Sequence, residues 1–155
     1  MDVKRELHLD HEDHVALLKQ LTRAVELKRD RTHLQRCWEA FQENLLDHID
    51  TEERYLFTAT AQAHRLEIEQ LRTEHRRIRQ AVDALGVLIE LDAVDKRSID
   101  ELRSLLQEHS AHEERSLHLW LEMDEGVMGH RGVLAIRTRR ERSSALKRVA
   151  ANEGD

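Results

Sequence analysis

The chain contains 155 residues, of which 39% are hydrophobic and 36% are charged, and it carries a formal net charge of −6. A chain of this length usually forms one domain and is long enough to bury a core of its own. Because it has no proline and only five glycines, it lacks the frequent turn signals of a β protein, and we predict an all-α fold.

The sequence also limits where the protein is expected to work. No stretch approaches the roughly 18 uninterrupted apolar residues of a membrane span, and Met1 is followed by charged residues rather than by the apolar core of a signal peptide. The single cysteine, Cys37, cannot form an internal disulfide, which agrees with a reducing compartment. We therefore expect a cytoplasmic protein without membrane contacts, in which Cys37 is a half-buried packing residue.

The first half of the chain predicts two amphipathic helices. Helix 1 is expected from about Asp10, a plausible N-cap, to about Lys28, with a backward extension through the preceding residues as the alternative. A capping box at Thr32 and Gln35 opens helix 2, which is expected to run to about Ala61. Residues at spacings of three and four form the inward stripes, and these are Leu7, His11, His14, Leu18, Leu21 and Val25 in helix 1, and Trp38, Phe41, Leu45, His48, Glu52 and Ala59 in helix 2.

The second half repeats this arrangement. Helix 3 is expected to begin near His64 or Arg65, and a capping box at Ser98 and Glu101 opens helix 4, which ends before Gly126. The inward stripes are Ile68, Leu71, His75, Ile78, Val82, Leu85 and Ile89, and then Ile99, Leu102, Leu106, His109, Glu113, Leu117 and Trp120. We predict that residues 1–126 form an antiparallel up-down four-helix bundle.

Residues 127–155 differ in composition from the rest of the chain. Between Gly129 and Ala150 there are seven basic residues and one acid, a local charge of +6 that leaves −12 for the rest of a chain whose total is −6. We interpret this extension as a short, solvated amphipathic helix with a frayed or disordered end; the alternative is a basic patch that docks an acidic protein partner. The tail has no aromatic residue to stack on bases, so nucleic acid is not expected as a partner.

A seven-residue motif occurs twice in the chain. Residues 48–54 and residues 109–115 both read His-x-x-x-Glu-Glu-Arg, and the same offset of 61 residues relates His14 to His75. Residues four apart lie on one face of a helix, so each copy places an imidazole beside a carboxylate. The second glutamates, Glu53 and Glu114, fall about 100° from the inward stripe and are interpreted as members of a surface ion-pair face.

Six ionisable residues on inward stripes predict a metal site. Burying carboxylates and imidazoles without partners costs several kcal/mol for each ionised group, which a domain of roughly 5–15 kcal/mol stability cannot absorb. Mixed nitrogen and oxygen donors suit iron or manganese better than zinc, which prefers thiolates or closed tetrahedral sites. The predicted ligands are His14, His48, Glu52, His75, His109 and Glu113.

The order of these ligands resembles the hemerythrin-like, or His-His-Glu cation-binding, family over about residues 8 to 124. The resemblance implies a four-helix bundle that holds two non-haem iron ions joined by an oxo or hydroxo bridge, with manganese as the second choice. It also implies that His14 and His109 serve one iron, that His48 and His75 serve the other, and that both glutamates bridge.

The sequence departs from the oxygen-carrying members of that family. Those have His-x-x-x-His on the third helix and His-x-x-x-x-Asp on the fourth, where this chain has Arg79 and Glu114. The pattern of four histidines and two glutamates is closer to the di-iron domain of proteins that repair iron centres, but their cysteine-bearing N-terminal domain is absent from this sequence. The full set of properties of either subfamily therefore cannot be assigned to this chain.

Two further histidines lie near the predicted site. His11 shares the helix 1 stripe with His14 and is the alternative ligand, although the 61-residue offset relates it to Arg72 and so favours His14. His112 lies almost one turn from His109. It is expected either beside the open coordination positions, as a proton donor, or exposed beside the cluster.

The sequence favours a di-iron protein that binds or reacts with dioxygen, nitric oxide or hydrogen peroxide, with apolar walls from Trp38, Phe41, Leu45, Ile78 and Leu106 limiting access. The alternative is an iron donor or a redox or oxygen sensor that acts through a partner on the basic tail. The sequence does not decide whether the protein is an enzyme.

Overall fold

A computed structural model describes residues 3–123, 132, 134–142 and 144, and all its elements are helices. These are α1 (Val3–Glu26), α2 (Arg31–Thr51), a π-helical turn (Glu52–Leu56), α3 (Phe57–Thr60), α4 (Arg65–Glu90), α5 (Lys96–Arg115) and α6 (Leu117–Met123). Residues 134–142 form a further helical segment, called here the C-terminal segment. No strand occurs in the part of the chain that is described, and the predicted all-α helical bundle is confirmed. None of the helices in that part is long and apolar enough to span a membrane.

The four long helices enclose one interior. Helix α1 packs on α2 and α5, and α4 packs on the same two helices. Their apolar stripes form a larger and a smaller apolar cluster. The larger contains Leu17, Leu18, Leu21, Ala24, Leu34, Trp38, Phe41, Leu45, Ile49, Ile78, Val82, Leu85, Ile89, Ile99, Leu102 and Leu106. The smaller contains Leu7, Leu56, Phe57, Ile68, Leu71, Leu117 and Ile136.

A buried polar layer separates the two apolar clusters. In α1, Asp10, His11 and His14 lie between Leu7 of the smaller cluster and Leu17 of the larger cluster. The polar residues at the same level of the other helices are His48, Glu52, His75, His109 and Glu113. Helices α1 and α4 pass from the smaller to the larger cluster. Helix α2 and helix α5 lie in the larger cluster, and the segments that follow them, the π turn with α3 and α6, lie in the smaller one. The antiparallel order of the bundle stays a prediction.

The helix starts differ from those predicted. The side chain of Asp30 caps α2 by accepting a hydrogen bond from the backbone N–H of His33, at 2.9 Å. Asp95 caps α5 in the same way through Ser98, at 2.8 Å. The expected capping boxes at Thr32 and Ser98 are therefore wrong, because an aspartate just upstream already satisfies the free N–H groups of the first turn. Asp10 is also not a cap, since α1 begins at Val3 and Asp10 is buried within it.

The regular helix is interrupted in both copies of the motif, at the glutamate in the first copy and two residues after it in the second. The regular α-helix of α2 ends at Thr51, and a π-helical turn over Glu52–Leu56 follows, in which the N–H of Phe57 bonds to the carbonyl of Glu52. Helix α5 ends at Arg115, and Ser116 has non-helical dihedral angles before α6 begins. A π turn within a helix often marks a functional position, and here it begins at a predicted metal ligand.

The C-terminal segment packs against the bundle, so the interpretation of residues 134–142 as a solvated helix is wrong. Its Ile136 is 0% exposed within the smaller cluster, and its Arg139 is only 1% exposed. Acidic side chains of α1 and α2 attract this basic helix: Arg140 lies 2.9 Å from Glu6, and Arg142 lies 2.9 Å from Asp47. Most of the other residues in 127–155, where the frayed end was expected, lie outside the described part of the chain.

Candidate metal centre

The structure buries all six predicted ligands in the polar layer, although His14 belongs to neither of the two compact donor groups described below. None of them is more than 4% exposed; they are His14, His48, Glu52, His75, His109 and Glu113. His11, the alternative ligand, is 8% exposed and lies in the same layer.

On one side of the layer, two histidines face the two glutamates. Nε2 of His75 lies 3.4 Å from Oε2 of Glu52, and Nε2 of His109 lies 3.1 Å from Oε1 of Glu113. The two Nε2 atoms are themselves 3.1 Å apart. One donor atom from each of the four residues lies within 4.8 Å of the others, which is the compactness that a single metal ion requires.

On the other side, His11 and His48 face the same two glutamates. Nε2 of His11 lies 3.0 Å from Oε2 of Glu113, and Nε2 of His48 lies 3.2 Å from Oε1 of Glu52. These four residues form the second compact donor group, and the ring of His14 lies 4.9 Å from that of His48.

The grouping corrects the pairing that the family resemblance implied. His75 lies with His109, whereas His48 lies with His11 and His14. The two carboxylates belong to both groups, so they are placed to be shared between two ions.

Several atoms that face the interior have no hydrogen-bond partner among the described residues. They are both carboxylate oxygens of Glu52, both of Glu113, and Nε2 of His14 and of His48. Buried polar atoms normally have partners, and leaving them without one is costly. A metal ion accepts lone pairs from all of them at once, so the residues fit a pair of bound cations.

His14 is held in the form that binds metals. Burial lowers its pKa well below the ordinary value, and repulsion from His48 and His11 lowers it further. A ring N–H of His14 also donates to the backbone carbonyl of Asn44. Neutral imidazole with one N–H in a hydrogen bond presents the lone pair of its other nitrogen to a metal.

Carboxylates support the outer nitrogen of three histidines. Nδ1 of His75 donates to Glu53 at 2.9 Å, and Nδ1 of His109 donates to Glu74 at 2.8 Å. On the opposite side, Nδ1 of His48 lies 3.3 Å from Oδ2 of Asp10. Such carboxylate-histidine pairs fix the ring orientation and make the inner nitrogen a better metal ligand.

These supporting carboxylates were not found from the sequence. Glu53 forms an ion pair with Arg79 of α4 at 2.9 Å, a partner that the sequence did not single out, and the same oxygen also accepts from His75. Helical spacing could not reveal the roles of Glu74 and Asp10, because spacing relates residues of one helix and their histidine partners are on other helices. Glu74 also accepts from Nδ1 of His112, at 2.7 Å, so His112 lies beside the layer and outside both donor groups.

Without a cation, the carboxylates retain protons on nearby histidines. Burial lowers the pKa of His75, but close contacts with the negative carboxylates of Glu113, Glu52 and Glu53 outweigh this and raise it to about 11. For His109, burial likewise opposes the attraction of Glu113, which with the Glu74 hydrogen bond raises the pKa to about 9. The layer therefore requires positive charge near its glutamates, whether from protons or from metal ions.

A cleft leads from the surface to one side of the layer. It lies between α1 and α5, has a volume of about 390 Å³, and is lined near its base by His11 and His14 and along its walls by Val15, Leu18 and Leu106. Of the five walls predicted from the sequence, only Leu106 lines this cleft. Trp38, Phe41, Leu45 and Ile78 lie in the larger apolar cluster.

Comparison with known protein families agrees with this geometry. The model of the hemerythrin HHE cation binding domain matches residues 2–121, which is most of the chain. The chain belongs to this family. The matched region of this hemerythrin domain includes α1, α2, α4, α5 and both copies of the repeated motif. No curated protein and no solved structure gave a significant match.

Proposed function

We propose that this hemerythrin domain binds two iron ions in its polar layer and that the loaded centre binds or reduces dioxygen, nitric oxide or hydrogen peroxide. The observation that carries the proposal is the set of four carboxylate oxygens of Glu52 and Glu113, which lie buried between two groups of imidazoles and have no hydrogen-bond partner in the described part of the chain.

We assign one ion to His75 and His109, and the other to His48 together with His14 and His11. Glu52 and Glu113 would be shared by the two ions. This keeps the six ligands predicted from the sequence and adds His11, whose Nε2 lies 3.0 Å from Glu113.

Iron is preferred over other metals because of the donor types. The layer offers imidazole nitrogens and carboxylate oxygens, whereas the cysteine, Cys37, packs against the larger apolar cluster away from the layer. Zinc favours closed sites with thiolates or three histidines, and manganese favours oxygen-rich sites. A pair of ferrous ions would supply the two electrons that, together with two protons taken up from solvent, reduce one hydrogen peroxide to two waters.

The cleft between α1 and α5 gives a small molecule access to the His11 side of the centre. Val15, Leu18 and Leu106 form the apolar part of its lining beside His11 and His14, and the charged side chains of Glu12, Arg103 and Glu114 also line it. A small neutral oxidant would pass along the apolar part without losing strong hydrogen bonds.

The test is metal content together with the visible spectrum of reduced protein before and after addition of oxygen, nitric oxide or peroxide. About two iron ions per chain and a spectral change with one of these oxidants are expected. A reversible oxygen adduct would indicate a carrier or sensor, and rapid peroxide consumption would indicate an enzyme. Protein that binds neither iron nor manganese, and whose melting temperature neither metal changes, would contradict the proposal.

A second candidate is an iron donor or a redox or oxygen sensor that acts through a partner. One observation favours it: the basic C-terminal segment contacts Asp10, which itself contacts His48. Deleting the residues after Gly129 should abolish partner association under this candidate, whereas the oxidant chemistry would survive under the first.

A further inference from the structure

An unbroken chain of contacts leads from the C-terminal segment to the metal centre. The guanidinium of Arg139 pairs with Oδ2 of Asp10, and the same oxygen lies 3.3 Å from Nδ1 of His48. All three side chains are buried, with exposures of 1%, 0% and 1%. The segment therefore reaches a proposed ligand through a single carboxylate.

Asp10 depends on the segment for its charge partners. Its Oδ2 pairs with Arg139, and its Oδ1 accepts from Nη1 of Arg140 at 2.9 Å. Removing one partner of a buried ion pair leaves the other charge uncompensated, which is strongly unfavourable. With the segment displaced, the buried carboxylate of Asp10 would lose both guanidinium partners, and it would lose the contacts that fix its position beside His48.

The segment also has attachments of its own to the bundle. Arg140 contacts Glu6 at 2.9 Å and Asp13 at 3.3 Å, and Ile136 fills part of the smaller apolar cluster. Because solvent-exposed ion pairs contribute little, the buried Arg139 and Ile136 should dominate the docking. A segment held by a few buried contacts can be shifted by a modest change at the site it touches.

We propose that Asp10 and Arg139 are positioning residues for the metal centre, and that docking of the C-terminal segment and metal occupancy favour each other. The proposal rests on the metal binding proposed above. A metal ion on Nε2 of His48 holds the ring in one orientation, and Asp10 holds the same ring through Nδ1. Docking of the segment therefore favours metal binding at His48, and metal binding favours docking. By linkage, each event changes the free energy of the other by the same amount.

The first experiment compares the affinity of full-length variants for ferrous iron without oxygen, using a competing chelator. Arg139→Leu and Asp10→Asn should each weaken iron binding by about 10 to 100-fold, the usual loss when the support of a ligand histidine is removed. Arg139→Lys, which keeps the charge, should recover part of the loss. The matched control is Arg137→Leu, since Arg137 is exposed on the same segment and forms a local ion pair with Glu141. The iron affinity of this control should equal that of the wild type.

The second experiment needs no substitution. Amide hydrogen exchange of residues 134–142 is measured in the wild type with and without ferrous iron, and the metal should slow exchange there by at least several-fold. This readout remains valid if a variant folds poorly, and a purely structural role for Arg139 would leave it unchanged.

The outcomes separate this proposal from the function on which it rests. If the wild type binds iron but exchange in the segment does not respond, or if Arg139→Leu binds iron as tightly as Arg137→Leu, the coupling is refuted and the metal site stands. If the wild type binds no iron, both proposals fail.

Discussion

Nδ1 of His75 lies 2.9 Å from a carboxylate oxygen of Glu53, the residue that follows Glu52 in the first copy of the repeated motif. Successive glutamates of one motif thus have different positions: Glu52 faces the interior of the layer, and Glu53 holds the outer nitrogen of a histidine on another helix. In the second copy the equivalent residue, Glu114, instead contacts the exposed His8 at 3.4 Å. Both copies of the motif thus supply the same kinds of proposed ligand. Only in the first copy does the second glutamate hold a proposed ligand histidine.

The asymmetry predicts different effects for the same substitution in the two copies. Glu53→Gln should weaken iron binding by about 10 to 100-fold, because His75 loses a charged support. Glu114→Gln is the matched control and should bind iron like the wild type. Chelator competition measures both affinities, and equal affinities for the two variants would show that Glu53 does not support the centre.

Replacing a shared carboxylate should remove the metal-dependent part of the stability. Glu113→Ala deletes a donor of both groups, so the variant should lose most of its metal, and its melting temperature should no longer rise when ferrous iron is added. Glu108→Ala, an exposed position on the same helix, serves as the control. Two retained metal ions per chain in Glu113→Ala would overturn the ligand assignment.

The roles of His11 and His14 can be separated by single substitutions. Both belong to our proposed site with His48, so His11→Ala and His14→Ala should each weaken one of the two ions and leave the ion at His75 and His109 in place. Metal content after dialysis against a weak chelator should fall toward one ion per chain. A variant that keeps both ions after this treatment identifies a histidine that is not a ligand.

The stability of the metal-free protein should fall as the pH rises. The pKa of His109 is raised to about 9 and that of His75 to about 11, both above the ordinary value of about 6.5 for histidine. Their protonated forms therefore contribute full stability below about pH 6.5, and this contribution is lost as the pH passes through about 9 and then 11. Thermal melts of chelator-treated protein at pH 7 and pH 10 should show the higher melting temperature at pH 7.

The iron affinity should change with pH in the opposite direction. Metal ions compete with the protons on His75 and His109, so raising the pH from 7 to 9 should tighten binding. A metal-free melting temperature that increases over the same range, or an affinity that does not respond to pH, would contradict the proton-holding role of the two histidines.

One prediction concerns the larger apolar cluster alone. A Cβ added to Gly86 in α4 would lie 3.5 Å from the ring of Trp38, an ordinary van der Waals distance. Glycine within a helix costs about 0.5–1 kcal/mol relative to alanine, so Gly86→Ala should raise the free energy of unfolding of the metal-free protein by about that amount. Urea denaturation measures this change, and lower stability would mean that Trp38 cannot accommodate the methyl group.

The helical spacing of the sequence predicted the bundle and the buried level of the proposed ligands well. The six predicted ligands and His11 are the only ionisable residues on stripes that are otherwise apolar, and that pattern survives in the structure as a polar layer between two apolar clusters. Spacing could not choose between His11 and His14, because residues three apart on one helix face the same way. The π turn after Glu52 was also not predicted, since the local sequence shows no signal for it.

Long-range charge pairing was the other feature beyond the reach of the sequence. An aspartate ahead of an apolar stripe resembles a helix cap, so Asp10 was misread; its partner Arg139 lies at the far end of the chain. The same pair explains why the C-terminal segment is not a solvated helix. Local patterns describe faces of single helices, whereas such a pair depends on how separate elements meet.

The polar layer also fixes how far each helix can slide along its neighbours. Apolar side chains alone would tolerate a shift of one turn, about 5.4 Å, because one leucine or isoleucine replaces another. Such a shift would place Glu52 or Glu113 against aliphatic side chains of either cluster, where their charges would have no partner. As single polar residues do in coiled coils, the layer would select one alignment of the helices, so the residues proposed to bind metal would also specify the fold that assembles them.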